Sequence, residues 1–65
     1  MDIGKSIRVG LANKNWKRVK LSQLMGVAPS RISRIEKTGI ATSTTLHALS
    51  SAFGVSVSEF IKWGE

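Results

Sequence analysis

Cysteine is absent from this 65-residue chain. The chain therefore has neither disulfides nor thiolate metal ligands, and its fold must be stabilised by packing and by any association with another copy. No apolar run approaches the roughly 20 residues of a membrane span. The first ten residues lack a basic region followed by an apolar block. We therefore expect no signal peptide, no membrane span and a cytoplasmic location.

Acidic residues are also scarce. Asp2, Glu36, Glu59 and Glu65 stand against ten Lys and Arg residues, which gives a formal net charge of +6. Such an excess on a small domain favours a polyanion as partner, because neutralising phosphates releases condensed counterions. The alternative is that the charge serves solubility alone. Of the two, nucleic acid as partner is the stronger expectation.

The groups that enzymes need are few. His47 is the single histidine, and there is no nucleophile-elbow serine, glycine-rich phosphate loop or cluster of metal ligands. A lone histidine in a helix usually fills a surface or half-buried position, because a general base needs an oriented partner. We therefore expect a chain that is not an enzyme and that uses no cofactor or metal.

Apolar spacing and capping residues predict an all-α fold without strands, as one domain over residues 1–65. The predicted helices run over Ile3–Lys14, Lys17–Met25, Pro29 to about Lys37, Ser43–Phe53 and Val57 to about Trp63. Suitable N-caps are Asp2, Thr42 and Ser56, the last in a capping box with Glu59. The predicted helix stops are Asn15, Gly26, Gly39 and Gly54.

The predicted core is made of apolar residues at helical spacing. They are Ile3, Ile7, Leu11, Leu21, Met25, Ile32, Ile35, Leu46, Leu49 and Phe53, with Trp16 packing before the second helix. Gly10 lies inside the first helix, which indicates close approach of another helix or of Trp16. Ser22 falls on the inward side of the second helix, where a small side chain admits a neighbouring helix.

The second and third predicted helices, with a turn at Gly26, form a helix-turn-helix unit. Ile32 and Ile35 point inward on the third helix, and the outward positions are Ser30, Arg31, Ser33, Arg34 and Lys37. Arginine can pair with guanine through two hydrogen bonds, and serine can bond to base or phosphate. The alternative is an ordinary solvated face. Composition, turn and helix order together favour reading of the major groove.

Three cations, Lys17, Arg18 and Lys20, crowd the start of the second helix. A helix N-terminus carries unpaired N–H groups and partial positive charge, so cations there are unfavourable unless an anion joins them. The placement suits a docked phosphate. The alternative is a solvated cluster.

Four segments spread over nearly the whole chain carry a family resemblance. They are IGKSIR (Ile3 to Arg8), LMGV (Leu24 to Val27), SRISRIEK (Ser30 to Lys37) and LSSAFGVSVSEF (Leu49 to Phe60). Their order and spacing resemble the compact five-helix DNA-binding domain of the Cro and lambda-repressor type, found in phage repressors and related bacterial regulators. The resemblance implies a helix-turn-helix formed by helices two and three.

The resemblance also implies roles for particular residues. Those expected to meet base edges or flanking phosphates are Pro29, Ser30, Arg31, Ser33 and Arg34, and those expected to bind backbone phosphates are Lys14, Lys17, Arg18 and Lys37. Small family members often dimerise symmetrically through the last helix, here Val57, Ile61 and Trp63. We expect one of these three apolar residues to complete the core and another to meet a partner. The alternative is that all three belong to the core or to a fraying tail.

The chain departs from the family pattern at several positions. Arg18 stands where Gln is usual, and Ala28 replaces a hydroxyl cap. Leu11 stands where the family commonly has an Arg that can pair with the glutamate here at Glu36. We therefore expect Glu36 to pair with Arg8 or Lys37, or to remain solvated. Basic residues seen after the third helix in some relatives are absent, so contacts there are expected from backbone N–H groups.

The expected function is that of a sequence-specific transcriptional repressor most like a small phage Cro protein, in a bacterial cell or phage-infected host. It would bind a near-palindromic operator in double-stranded DNA as a homodimer, formed in solution or only on DNA, with no small-molecule substrate. The chain is expected to end with the DNA-binding domain. The alternatives are an antitoxin that also binds a toxin protein, and the controller protein of a restriction–modification system.

Overall fold

The computed structural model describes residues 2–65; Met1, which the predicted domain includes, lies outside the described residues. The helices are α1 (Ile3–Lys14), α2 (Arg18–Met25), α3 (Pro29–Thr38), α4 (Ser43–Phe53) and α5 (Val57–Lys62). Residues 2–65 contain no strand. The all-α, five-helix prediction is confirmed, and each predicted boundary that differs does so by one residue.

Local side-chain caps set three of the helix starts. The oxygens of Asp2, Thr42 and Ser56 accept hydrogen bonds from the backbone N–H three residues later, at 3.0, 3.3 and 3.1 Å. Within residues 2–65, the capping box contributes only this serine bond. Helices α2 and α3 begin after Lys17 and Ala28, which make no side-chain cap. Lys17 has extended backbone, which is why α2 starts at the next residue.

All five helices contribute to one core. The buried apolar side chains are Ile3, Ile7, Leu11, Leu21, Ile32, Ile35, Leu49, Phe53 and Phe60. Two residues predicted for the core, Met25 and Leu46, are half-buried and pack against its edge. The interior of this small protein is therefore built mainly from the stripes that the helical spacing predicts.

The four aromatic residues form one cluster around Phe53. The ring of Trp16 stacks on Phe53 with centroids 5.7 Å apart, Phe60 stacks at 5.9 Å, and Trp63 meets Phe53 edge-on at 5.7 Å. Gly10 makes room for this cluster, since a Cβ there would lie 2.8 Å from Cζ of Phe53 and 2.9 Å from Cζ3 of Trp63. The close neighbours of Gly10 are thus rings of α4 and of the segment after α5.

A second close approach seats α1 against the end of α3. A Cβ on Gly4 would lie 2.5 Å from the carbonyl oxygen of Glu36 and 3.3 Å from Nη1 of Arg8. Because no larger residue fits between the two backbones, α1 lies directly behind the helix-turn-helix unit. This packing brings Arg8 to the edge of α3.

Candidate nucleic-acid interface

The turn between α2 and α3 is built at Gly26, whose φ of 69° lies in the left-handed region. Its N–H donates to the carbonyl of Gln23 at 3.3 Å, and the N–H of Val27 donates to that of Ser22 at 3.0 Å. Ser22 is 2% exposed, and its hydroxyl donates to the carbonyl of Val19. The expected turn glycine and inward small residue are both confirmed, and they fix how α3 leaves α2.

Helix α3 has one buried side and one open side. Ile32 is fully buried and Ile35 is 6% exposed. All the residues predicted to read bases are exposed: Pro29, Ser30, Arg31, Ser33 and Arg34. At 100° per residue, Ser30 lies opposite the buried isoleucines. Ser33 and Arg34 lie about 60° and 40° to either side of Ser30, and Arg31 lies about 100° away, toward one edge. The open side of α3 can therefore enter a groove.

One edge of α3 borders a hollow toward the start of α4. The lining residues are Ser30, Arg31, Arg34, Ile35, Thr38, Ile40, Ala41, Thr42 and Thr45. Ile40 is 76% exposed, and its N–H donates to the hydroxyl of Thr38 at 3.3 Å. The exposure of this isoleucine was not predicted, since neither helical period nor turn chemistry specifies how a loop side chain points.

The opposite edge of α3 borders a basic hollow shared with α1 and α2. Its lining residues are Arg8, Arg18, Ser33, Glu36 and Lys37. A neighbouring hollow is lined by Arg8, Leu11, Trp16, Lys17, Arg18 and Val19. Three of the predicted phosphate-binding residues therefore adjoin one surface. Arg8 belongs to it as well and was missed as a site residue, because its position depends on how α1 packs against α3.

Glu36 is paired with Arg18, and the expected pairing with Arg8 or Lys37, or solvation, is wrong. Nε and Nη2 of Arg18 donate to Oε1 and Oε2 of Glu36 at 2.7 and 2.9 Å. Leu11 is buried and offers no cation, so the guanidinium that reaches Glu36 comes from the start of α2. These hydrogen bonds, and then the charge of the carboxylate, raise the pKa of Arg18.

The other residues predicted to bind phosphate are lysines at two places on the surface. Lys17 and Lys37 are exposed beside the basic hollows. Lys14 lies at the end of α1, with Nζ 6.0 Å from the centroid of the Trp16 ring. Of the four residues predicted to bind phosphate, Arg18 is the only one that forms an ion pair within residues 2–65.

The residues expected at a dimer interface differ in their surroundings. Trp63 packs edge-on against Phe53 and Phe60, with centroids 5.7 and 6.0 Å away, so it completes the core. Val57 and Ile61 are half-buried and lie one helical turn apart on α5. Trp63 is half-buried as well, but it is held in the aromatic cluster, so Val57 and Ile61 are the better candidates to meet a partner.

Within residues 2–65 no helix has both the length and the apolar character needed to cross a membrane. The same residues contain no group of three or more histidine and acidic side chains that would hold a metal ion.

Comparison with known proteins agrees with this geometry. A family model described as Helix-turn-helix matches residues 5–60, which include all of α2, α3 and α4. It supports the resemblance to the Cro and lambda-repressor type at the level of the family. No curated protein and no solved structure gives a significant match. Since the matched residues span most of its length, the chain belongs to the helix-turn-helix family of DNA-binding regulatory domains.

Proposed function

We propose that this protein is a sequence-specific transcriptional repressor, similar to a small phage Cro protein, that inserts α3 into the major groove of its operator. One observation carries the proposal: every residue expected to read bases is exposed on α3, while Ile32 and Ile35 anchor the helix in the core. Ser30 and Arg34, both on the open side of α3, supply the donors for base edges.

The charge beside α3 supports contacts with the DNA backbone at one edge of the groove. Lys17, Arg18 and Lys37 lie beside the basic hollows, and the chain carries a net charge of +6. Phosphate contacts fix the orientation of a protein on the duplex without reading sequence. We assign the three cations this positioning role.

Size favours a homodimer. Helix α3 has ten residues, about 15 Å at 1.5 Å per residue, and the longest extent of the Cα trace is 25 Å. Half-sites read by helix-turn-helix dimers lie about 34–36 Å apart, which one copy does not span. Two copies related by a twofold axis, meeting through Val57 and Ile61, would read a near-palindromic operator. Repression follows if that operator overlaps a promoter in a bacterial or phage genome.

Selection of bound duplexes from random DNA, followed by footprinting on the enriched site, tests the proposal. We expect a symmetric site whose two halves are protected in major grooves one turn apart. Sedimentation of the complex should give two copies per site. Enrichment of no sequence would contradict specific recognition, and one copy per asymmetric site would contradict the homodimer alone.

A further inference from the structure

We propose that Glu36 is a positioning residue of the DNA interface, which holds the guanidinium of Arg18 so that its remaining N–H groups face a backbone phosphate. The proposal rests on the DNA-binding function proposed above and adds to it a role for an acidic residue. An acidic side chain beside a DNA-binding surface would otherwise be expected to repel the duplex.

The geometry of the pair leaves one edge of the guanidinium available. The bonds of 2.7 and 2.9 Å to Glu36 use Nε and Nη2. Nη1 makes no hydrogen bond to any atom of residues 2–65. Two parallel bonds fix the plane of a guanidinium, which one bond or a point charge does not. Arg18 is therefore held in one orientation, with donors to spare.

The two partners differ in exposure. The side chain of Glu36 is 9% exposed, whereas that of Arg18 is 49% exposed. The carboxylate lies largely behind the cation, so an approaching polyanion meets the guanidinium first. An ion pair arranged in this way is oriented as a dipole whose positive end faces solvent.

The surroundings of the pair are suited to an anion. The hollow beside it is lined by Arg8, Ser33 and Lys37 as well. Three cations thus face one carboxylate, and a serine hydroxyl adds a hydrogen-bond donor. A phosphate oxygen in this hollow would meet charge-assisted donors from α1, α2 and α3 together. Arg8 then joins Arg18 as a backbone contact.

The sign of one mutational effect separates positioning from bulk charge. Replacing Glu36 by Gln raises the net charge by one, and Coulomb attraction alone would strengthen binding to DNA. Loss of positioning weakens binding, because the guanidinium then has to be ordered when the duplex docks. The two explanations therefore predict opposite changes in affinity.

The test compares E36Q with E59Q on the duplex selected from random DNA. Glu59 is exposed on α5, and its replacement makes the same change in net charge. We expect E36Q to weaken binding about tenfold, the loss of roughly one charge-assisted hydrogen bond, and E59Q to leave it unchanged or slightly stronger. The slope of log K against log salt is negative, and we also expect it to become shallower by about one unit in E36Q only.

A second variant avoids any change in charge. R18K keeps the cation but replaces the planar guanidinium with an ammonium group that cannot form the two parallel bonds. We expect it to weaken binding by a factor similar to E36Q. In an R18A background, E36Q should bring little or no further weakening, since both changes remove the same contact. Circular dichroism and thermal unfolding establish that each variant is folded.

Each contrary result has a distinct meaning. If E36Q binds as E59Q does, or if the losses in R18A and E36Q simply add, Glu36 does not position Arg18 and the proposed repressor function stands. If R18K binds as tightly as the unaltered protein, the positioning role is likewise overturned. If the unaltered protein selects no duplex sequence, the proposed function and this inference fail together.

Discussion

Gly10 and Phe53 are packed so closely that a Cβ on Gly10 would lie 2.8 Å from the ring. We expect G10A to destabilise the protein by about 1–3 kcal/mol through overpacking, even though alanine is favoured over glycine in a helix by about 1 kcal/mol. Two rings would have to shift together, because Trp63 lies as near as Phe53. Urea unfolding measures the change.

The matched control for this prediction is N13A, at an exposed position of the same helix. It changes helix propensity without adding an atom to the core, and we expect its stability to equal or slightly exceed that of the unaltered protein. A G10A protein as stable as N13A would show that the aromatic cluster adapts freely.

Ser6 has a buried hydroxyl that makes no hydrogen bond within residues 2–65. An unpaired buried polar group is costly, and serine is also a poorer helix former than alanine. We expect S6A to raise the free energy of unfolding by about 1 kcal/mol. S51A, an exposed serine in α4, is the control and should change stability by only a few tenths of a kcal/mol. A loss of stability in S6A would indicate a bond made by this hydroxyl.

Arg34 is exposed on the open side of α3, where a side chain can reach base edges. We expect R34A to weaken specific binding by about 1–3 kcal/mol and to relax the preference for guanine at one operator position. Site selection with the variant measures both effects. K62A, which removes an exposed cation from α5, should keep the preference at every position. If R34A keeps it too, Arg34 does not read a base.

Lys17 and Lys37 lie beside the basic hollows and are assigned to backbone phosphates. We expect K17A and K37A each to make the negative slope of log K against log salt shallower by about one unit, with base preference retained. Binding titrations at several salt concentrations give the slope, and K62A again serves as control. Unchanged slopes would remove these lysines from the interface.

The fold could be predicted largely because its determinants are local. Asp2, Thr42 and Ser56 each bond to a backbone group three residues away, so the helix starts are visible in a few letters of sequence. The burial of Ile32 and Ile35 follows from helical period in the same way. The start of α2 was predicted one residue too early, at Lys17, because a helix start without a side-chain bond has no comparable local marker.

The site could be predicted only where it lies on one helix. The exposed face of α3 needs no knowledge of its neighbours, whereas the partner of Glu36 depends on how α2 crosses α3. The position of Arg8 at the edge of α3 likewise depends on the close approach of Gly4 to that helix. The sequence predicts only a phosphate as partner of Arg18, because the bond to Glu36 depends on how α2 packs against α3.

The arrangement of aromatic rings has a spectroscopic consequence. Both tryptophans contact Phe53, so the intrinsic fluorescence of the unaltered protein mixes two reporters. Trp16 also lines a hollow with Lys17 and Arg18, while Trp63 meets the rings of Phe53 and Phe60 edge-on. In W63F, the fluorescence of the remaining Trp16 would report docking of a duplex. In W16F, the fluorescence of the remaining Trp63 would report unfolding of the core.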